Sequence, residues 1–97
     1  MNVDITGTLK IIEDTKLVGG FNKIKKRTCV VSTSKGYIPV DFTYEVYTTM
    51  LDGYKVGDKV RIRCIVEGRA WTKPGSDKEQ YFLSLKGVSI DRVSKET

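Results

Sequence analysis

Between Gly57 and Trp71 the chain reads Gly-Asp-Lys-Val-Arg-Ile-Arg-Cys-Ile-Val-Glu-Gly-Arg-Ala-Trp. This stretch limits the possible folds more than any other. From Val60 onward it alternates, with Val60, Ile62, Cys64 and Val66 in one row and Arg61, Arg63, Ile65 and Glu67 in the other. Successive side chains of a strand point to opposite faces, so this pattern specifies a half-buried β-strand. Gly57-Asp58 supplies turn chemistry ahead of it, and Gly68 is expected to break or bend it. Arg69 and Trp71 then fall just past the strand end, a cation and a large π-surface at the mouth of a loop.

The same alternation recurs along the chain. Residues 3–12 form a first strand, and Gly7 is the bend that lets it serve two parts of a curled sheet. Residues 28–33 are rich in β-branched side chains and form a second strand, with Cys29 and Val31 facing in. Ser34-Lys35-Gly36 reads as a hairpin connection. In the third strand, residues 37–44, Ile38, Val40, Phe42 and Tyr44 are expected inside, and Tyr37, Pro39, Asp41 and Thr43 outside. Pro39 has no N–H to donate, which places it at an edge or turned to solvent. Val46/Met50 and Tyr47/Leu51 are i,i+4 apolar pairs, so residues 45–51 are expected to make one to two helical turns, stopped at Asp52-Gly53. Pro74-Gly75 suits the centre of a type II turn. Tyr81, Leu83 and Leu85 then resume the alternation, Gly87 shifts it, and Val88 and Ile90 complete a last strand. Residues 13–25, with Gly19-Gly20 and Asn22, lose all periodicity and read as a long flexible loop. Five strands, a short helix between strands three and four, and long loops after the first and fourth strands describe an all-β, five-stranded OB-fold barrel. It forms one domain over residues 1–93, followed by a polar tail at 94–97. A chain of 97 residues can fill one core without disulfide or metal staples.

Lys and Arg number 17 against 12 Asp and Glu, a formal net charge of +5, which favours polyanionic partners. The chain has no histidine, the commonest general base and metal ligand. Cys29 and Cys64 are isolated, so no zinc site is expected, and both read as small buried hydrophobes in a reducing, cytoplasmic setting. No signal peptide or membrane-length apolar run is read. Leu17-Val18-Gly19-Gly20 lacks the Gly-Lys-Ser/Thr continuation of a phosphate-cradling loop. Asp41 and Glu45 are the nearest acidic pair, with no lysine or histidine placed to complete a recognisable site. Neither catalysis nor a cofactor or metal is therefore expected.

Binding a single strand without reading its sequence needs cations that track phosphates and flat faces on which bases stack. Lys23, Lys25, Lys26, Arg27 and Lys73 are candidates for the first. Tyr37 and Trp71 are candidates for the second. Each has an ordinary alternative: a solvated loop base for residues 23–27, a surface aromatic for Tyr37, and a buried barrel-end residue for Trp71. Phe82 suits either a third platform or a subunit contact. Arg61 and Arg63 equally suit cross-strand ion pairs.

The runs Lys26-Arg27-Thr28-Cys29-Val30-Val31, Tyr44-Glu45-Val46-Tyr47, Val56-Gly57-Asp58-Lys59-Val60, Glu67-Gly68-Arg69 and Tyr81-Phe82 resemble bacterial small OB-fold domains. These are an uncharacterised family similar to the single-stranded DNA-binding proteins, and the resemblance spans nearly the whole chain. It implies a DNA-binding groove across strands two and three, flanked by the two long loops, and points at Lys26, Arg27, Arg69 and Trp71. Where similar domains carry a further tryptophan in the last strand, this chain has Val88. The expected partner is single-stranded DNA, or RNA, bound through phosphates and stacking with little sequence specificity. The alternative is a protein-interaction or oligomerisation OB domain. Outward Val30, Ile65 and Phe82 and a free edge near Pro39 point to a homodimer or higher homo-oligomer.

Overall fold

The computed structural model describes residues 1–21 and 23–93; Asn22 and the expected tail at 94–97 lie outside the described residues. Six strands form one sheet: β1 (Asn2–Ile12), β2 (Lys16–Val18), β3 (Ile24–Thr33), β4 (Gly36–Thr43), β5 (Lys59–Thr72) and β6 (Glu79–Arg92). A helical turn, α1 (Glu45–Thr48), runs into a 3-10 turn at Thr49–Gly53 between β4 and β5. The order across the sheet is β1-β5-β6-β4-β3-β2, and β1 also pairs with β3. The pairings therefore run round a circuit, in which β4 and β6 meet through the single parallel pair Asp41–Lys86. Among the described residues no helix is long and apolar enough to cross a membrane.

β1 serves two neighbours. Its first half pairs with β5 from Asn2 to Thr8, and its second half with β3 from Thr8 to Ile12. Alternation builds the interior: Leu9, Cys29, Val31, Val40, Phe42, Val60, Ile62 and Cys64 are all fully buried, and Leu51 of the 3-10 turn closes one end. Gly87 is demanded by this core, because a Cβ there would overlap the ring of Phe42. The β5–β6 register also slips where Cys64 meets Gly87, next to Val88, so the alternation shifts at Gly87 as the sequence indicated.

Four expectations need correction. The loop at residues 13–25 is partly a β-hairpin: Lys16, Leu17 and Val18 pair with Lys26, Lys25 and Ile24. This extra strand moves the helix from between the third and fourth strands to between the fourth and fifth. Gly68 does not end its strand. It pairs with Leu83, and β5 continues to Thr72 opposite Glu79, so Arg69 and Trp71 belong to a two-stranded arm. Tyr44 is not inside. Its φ of 67° turns the side chain into solvent at the start of α1, while the preceding Thr43 is buried. The turn at the tip of the arm is as expected: Gly75 has φ 85°, and the Ser76 N–H donates to the Lys73 carbonyl at 2.9 Å, as a type II turn requires.

Candidate nucleic-acid interface

The outward rows of four neighbouring strands come together on one face. β3 contributes Ile24, Lys26 and Thr28, and β4 contributes Thr43, Asp41, Pro39 and Tyr37. β6 contributes Lys86, Ser84 and Phe82, and β5 contributes Glu67, Arg69 and Trp71. A cleft of about 450 Å³ lies on this face, walled by the β2–β3 hairpin on one side and the arm on the other. Lys26, Asp41, Glu67, Arg69, Phe82 and Lys86 all line it. A second depression of about 370 Å³ shares Asp41, Leu83 and Ser84 with the cleft and extends to Tyr37. Together they make a trough from the β2–β3 hairpin to the β3–β4 turn.

Alternation on β3 divides the cluster at residues 23–27. Lys26 is on the outer row and lines the cleft. Lys25 is on the other row and pairs with Glu45 at 3.3 Å. Arg27 is enclosed, with its side chain 16% exposed and a 2.6 Å ion pair to Asp52. It also donates to the carbonyls of Glu13 at 2.8 Å and Thr48 at 3.3 Å. Arg27 thus ties the end of β1 to both helical turns. Lys23 is exposed beside the β2–β3 turn, and Lys73 is exposed at the tip of the arm.

Three aromatic faces are available. Trp71 is 49% exposed and Phe82 is 46% exposed; Trp71 is therefore not a core residue. Phe82 sits opposite Arg69 in the register, and both line the cleft. Tyr37 is 64% exposed at the far end of the trough, and the Lys10 ammonium lies 5.4 Å from its ring centroid. The β1–β3 register shifts between Leu9 and Ile11, and Lys10 occupies that irregularity. Bulges re-aim side chains in this way.

Two ion pairs cross the face. Lys26 Nζ is 3.6 Å from Asp41 Oδ2, and Lys86 Nζ is 3.4 Å from Glu67 Oε1. The Thr28 hydroxyl also donates to Asp41 Oδ1 at 2.7 Å. Arg63 pairs with Asp4 at 3.3 Å on the outer side of β1–β5, the cross-strand alternative weighed from the sequence. The two thiols lie apart from the trough in the core. Burial pushes Cys29 up to about 12 and Cys64 up to about 11, so both are protonated and unreactive at neutral pH.

Lys10, Ser84, Glu67 and Lys86 were not singled out for this face from the sequence. Their signal was the polar row of each strand: once Leu83 and Leu85 are set on one side of β6, Phe82, Ser84 and Lys86 share the other.

The β-rich sheet with its long arm and short helical segment is similar in fold to two solved proteins. The mitochondrial single-stranded DNA binding protein Rim1 of S. cerevisiae superposes with a TM-score of 0.65 at 13% identity, covering 99% of this chain and 97% of that one. A small single-stranded DNA-binding protein from Streptomyces coelicolor gives 0.55 at 13% identity, covering 96% and 94%. At such identities the likeness is one of fold. No curated protein matches the chain in sequence. Over residues 4–91 it matches the model of a domain of unknown function, DUF3127, and it belongs to that family.

Proposed function

We propose that the trough binds single-stranded nucleic acid, DNA ahead of RNA, in a non-catalytic role and with little sequence preference. The observation that carries this reading is the shared outer row: Phe82, Arg69 and Trp71 stand on the same face as Lys26 and Lys86, in line with Tyr37 and Lys10. Bases stack on the three rings, each stacked base contributing roughly 1–3 kcal/mol. Lys10, Lys23, Arg69 and Lys73 meet phosphates along the path. Lys25 and Arg27 support the face rather than touch the strand. The fold likeness to single-stranded DNA-binding proteins supports the same ligand, and an OB-type closure of the circuit leaves this face as the groove. The free, buried thiols suit a reducing cytoplasm.

The test is a titration of the single tryptophan's fluorescence with short oligonucleotides. Binding of oligo-dT should quench Trp71, and Phe82→Ala and Trp71→Ala, both followed by the anisotropy of a labelled oligonucleotide, should each weaken binding while leaving its salt dependence nearly unchanged. Variants that bind like the wild type remove the stacking face.

Self-association has its own support. On the opposite row of the arm, Tyr81 is 76% and Leu83 is 73% exposed, and among the described residues 67–72 of β5 pair only with β6. A second copy of the chain is the occupant proposed for that row, since apolar faces beside unpaired edges tend to be covered. Light scattering that shows a monomer at tens of micromolar removes this part of the proposal.

A further inference from the structure

Charges alternate along a line across the face. Lys26 on β3, Asp41 on β4, Lys86 on β6 and Glu67 on β5 stand on four neighbouring strands with signs plus, minus, plus, minus. Asp41 and Lys86 are direct partners in the parallel bridge. Each lysine is held by a carboxylate, at 3.6 Å and 3.4 Å, and Asp41 is fixed further by the Thr28 hydroxyl at 2.7 Å. Among the described residues Arg69 is the one cation lining the cleft without a carboxylate partner.

We infer that Asp41 and Glu67 are specificity-determining residues that stop this face from binding polyanions by charge alone. The inference rests on the reading of the trough as a single-strand site. A phosphate approaching Lys26 or Lys86 meets a lysine whose field is already cancelled by a carboxylate anchored beside it. Such a neutral pair displaces few of the cations condensed on a nucleic acid, so it contributes little to counterion release. A ligand with exposed bases gains from Phe82, Trp71 and Tyr37 in compensation. A duplex, or a phosphate chain without bases, does not. The two acids therefore trade affinity for discrimination, the repulsive element that specificity commonly requires.

Asp41→Asn, Glu67→Gln and the double variant test this against three probes: oligo-dT, a duplex of equal length, and inorganic polyphosphate. Freeing both lysines adds two phosphate contacts, so the log–log salt slope for oligo-dT should steepen by about 1.4, at ~0.7 per contact. The double variant should then bind oligo-dT more tightly than wild type at low salt, with an advantage that shrinks about sevenfold when salt is raised fourfold. The duplex should gain more, at ~0.9 per contact, so the preference for single strands should narrow. Polyphosphate should change from a poor competitor to an effective one. Removing each lysine together with its acid, as Lys26→Gln/Asp41→Asn and Lys86→Gln/Glu67→Gln, should return both slope and affinity close to wild type.

Asp41→Asn keeps an acceptor for Thr28, and Glu67 is on the exposed arm, so thermal melting can confirm that the variants are folded. Folded variants with unchanged or weaker binding overturn the inference and leave the single-strand reading standing. Gain of polyphosphate binding by variants of a wild type that ignores oligo-dT supports the screening role and removes the single-strand reading. No binding by any variant to any probe overturns both.

Discussion

Arg27→Ala separates a structural cation from a ligand-binding one. The guanidinium bonds three elements at once: the Glu13 carbonyl at the end of β1, the Thr48 carbonyl at the end of α1, and Asp52 in the 3-10 turn. Truncation leaves both carbonyls short of a donor and releases the helical segment from β1. Each lost bond to a neutral acceptor costs about 1 kcal/mol. The pair with Asp52 deserves a smaller figure than its 2.6 Å length suggests, because Asp52 is 66% exposed and solvent screens it; about 0.5–1 kcal/mol is reasonable. The sum is about 2.5–3 kcal/mol, and at roughly 4–8 °C per kcal/mol for a domain of this size the melting temperature should fall by at least about 10 °C. Oligonucleotide affinity, measured below the lowered transition, should keep the wild-type salt slope. A variant that melts with the wild type but shows a flattened slope would refute the reasoning, because Arg27 would then be a phosphate contact.

Other substitutions probe the fold and its titration. Gly87→Ala should destabilise by about 1–3 kcal/mol through overpacking against Phe42, with partial rescue by Phe42→Leu in a double-mutant cycle followed by urea denaturation. Tyr44 sits at φ 67° and ψ 153°, a region that non-glycine residues avoid. Tyr44→Gly should therefore raise stability by about 1 kcal/mol, and a lower urea midpoint would argue against strain there. The Lys55 backbone N–H, with help from Arg92, holds the Asp58 carboxyl below its usual range. A carboxylate with a depressed folded-state pKa stabilises the fold above its unfolded pKa, and that stability is lost as pH falls through the folded value. Melting curves of Asp58→Asn and wild type should thus differ most near neutrality and converge in acid. Cys29 and Cys64 should label slowly in the native protein and rapidly in denaturant; fast native labelling would contradict their burial.

The inner rows were legible because apolar alternation is a local signal. Val60, Ile62, Cys64, Val40, Phe42, Cys29 and Val31 could be assigned to the core strand by strand. β2 was not legible, since three residues beside Gly19-Gly20 carry too little periodicity, yet pairing Val18 with Ile24 starts β3 four residues early. That earlier start decides which of Lys25, Lys26 and Arg27 faces outward. Gly68 misled for a related reason. A glycine weakens a strand locally, but a continuous hairpin register across the arm holds it extended. The pairing of Lys26 with Asp41 and of Lys86 with Glu67 depends on which strands are neighbours. Each pair lies within a hairpin, β3–β4 or β5–β6, but the β4–β6 contact that brings the two pairs side by side joins residues distant in sequence, so local pattern could not reveal the line of charges. Two of the aromatic faces were easier, because Tyr37 and Phe82 already stood opposite the apolar rows of their strands, whereas Trp71 was read at a loop mouth until β5 proved to run on to Thr72.

The most direct measurement compares oligo-dT with a duplex of equal length, titrated by Trp71 fluorescence over a fourfold range of salt. Four phosphate contacts, from Lys10, Lys23, Arg69 and Lys73, give an expected slope near −3 for the single strand at ~0.7 per contact. The single strand should quench Trp71 and bind more tightly than the duplex throughout, because stacked base pairs cannot reach Trp71, Phe82 or Tyr37. Absence of quenching by oligo-dT at low salt, or duplex binding as tight as single-strand binding, would contradict a stacking trough on this face.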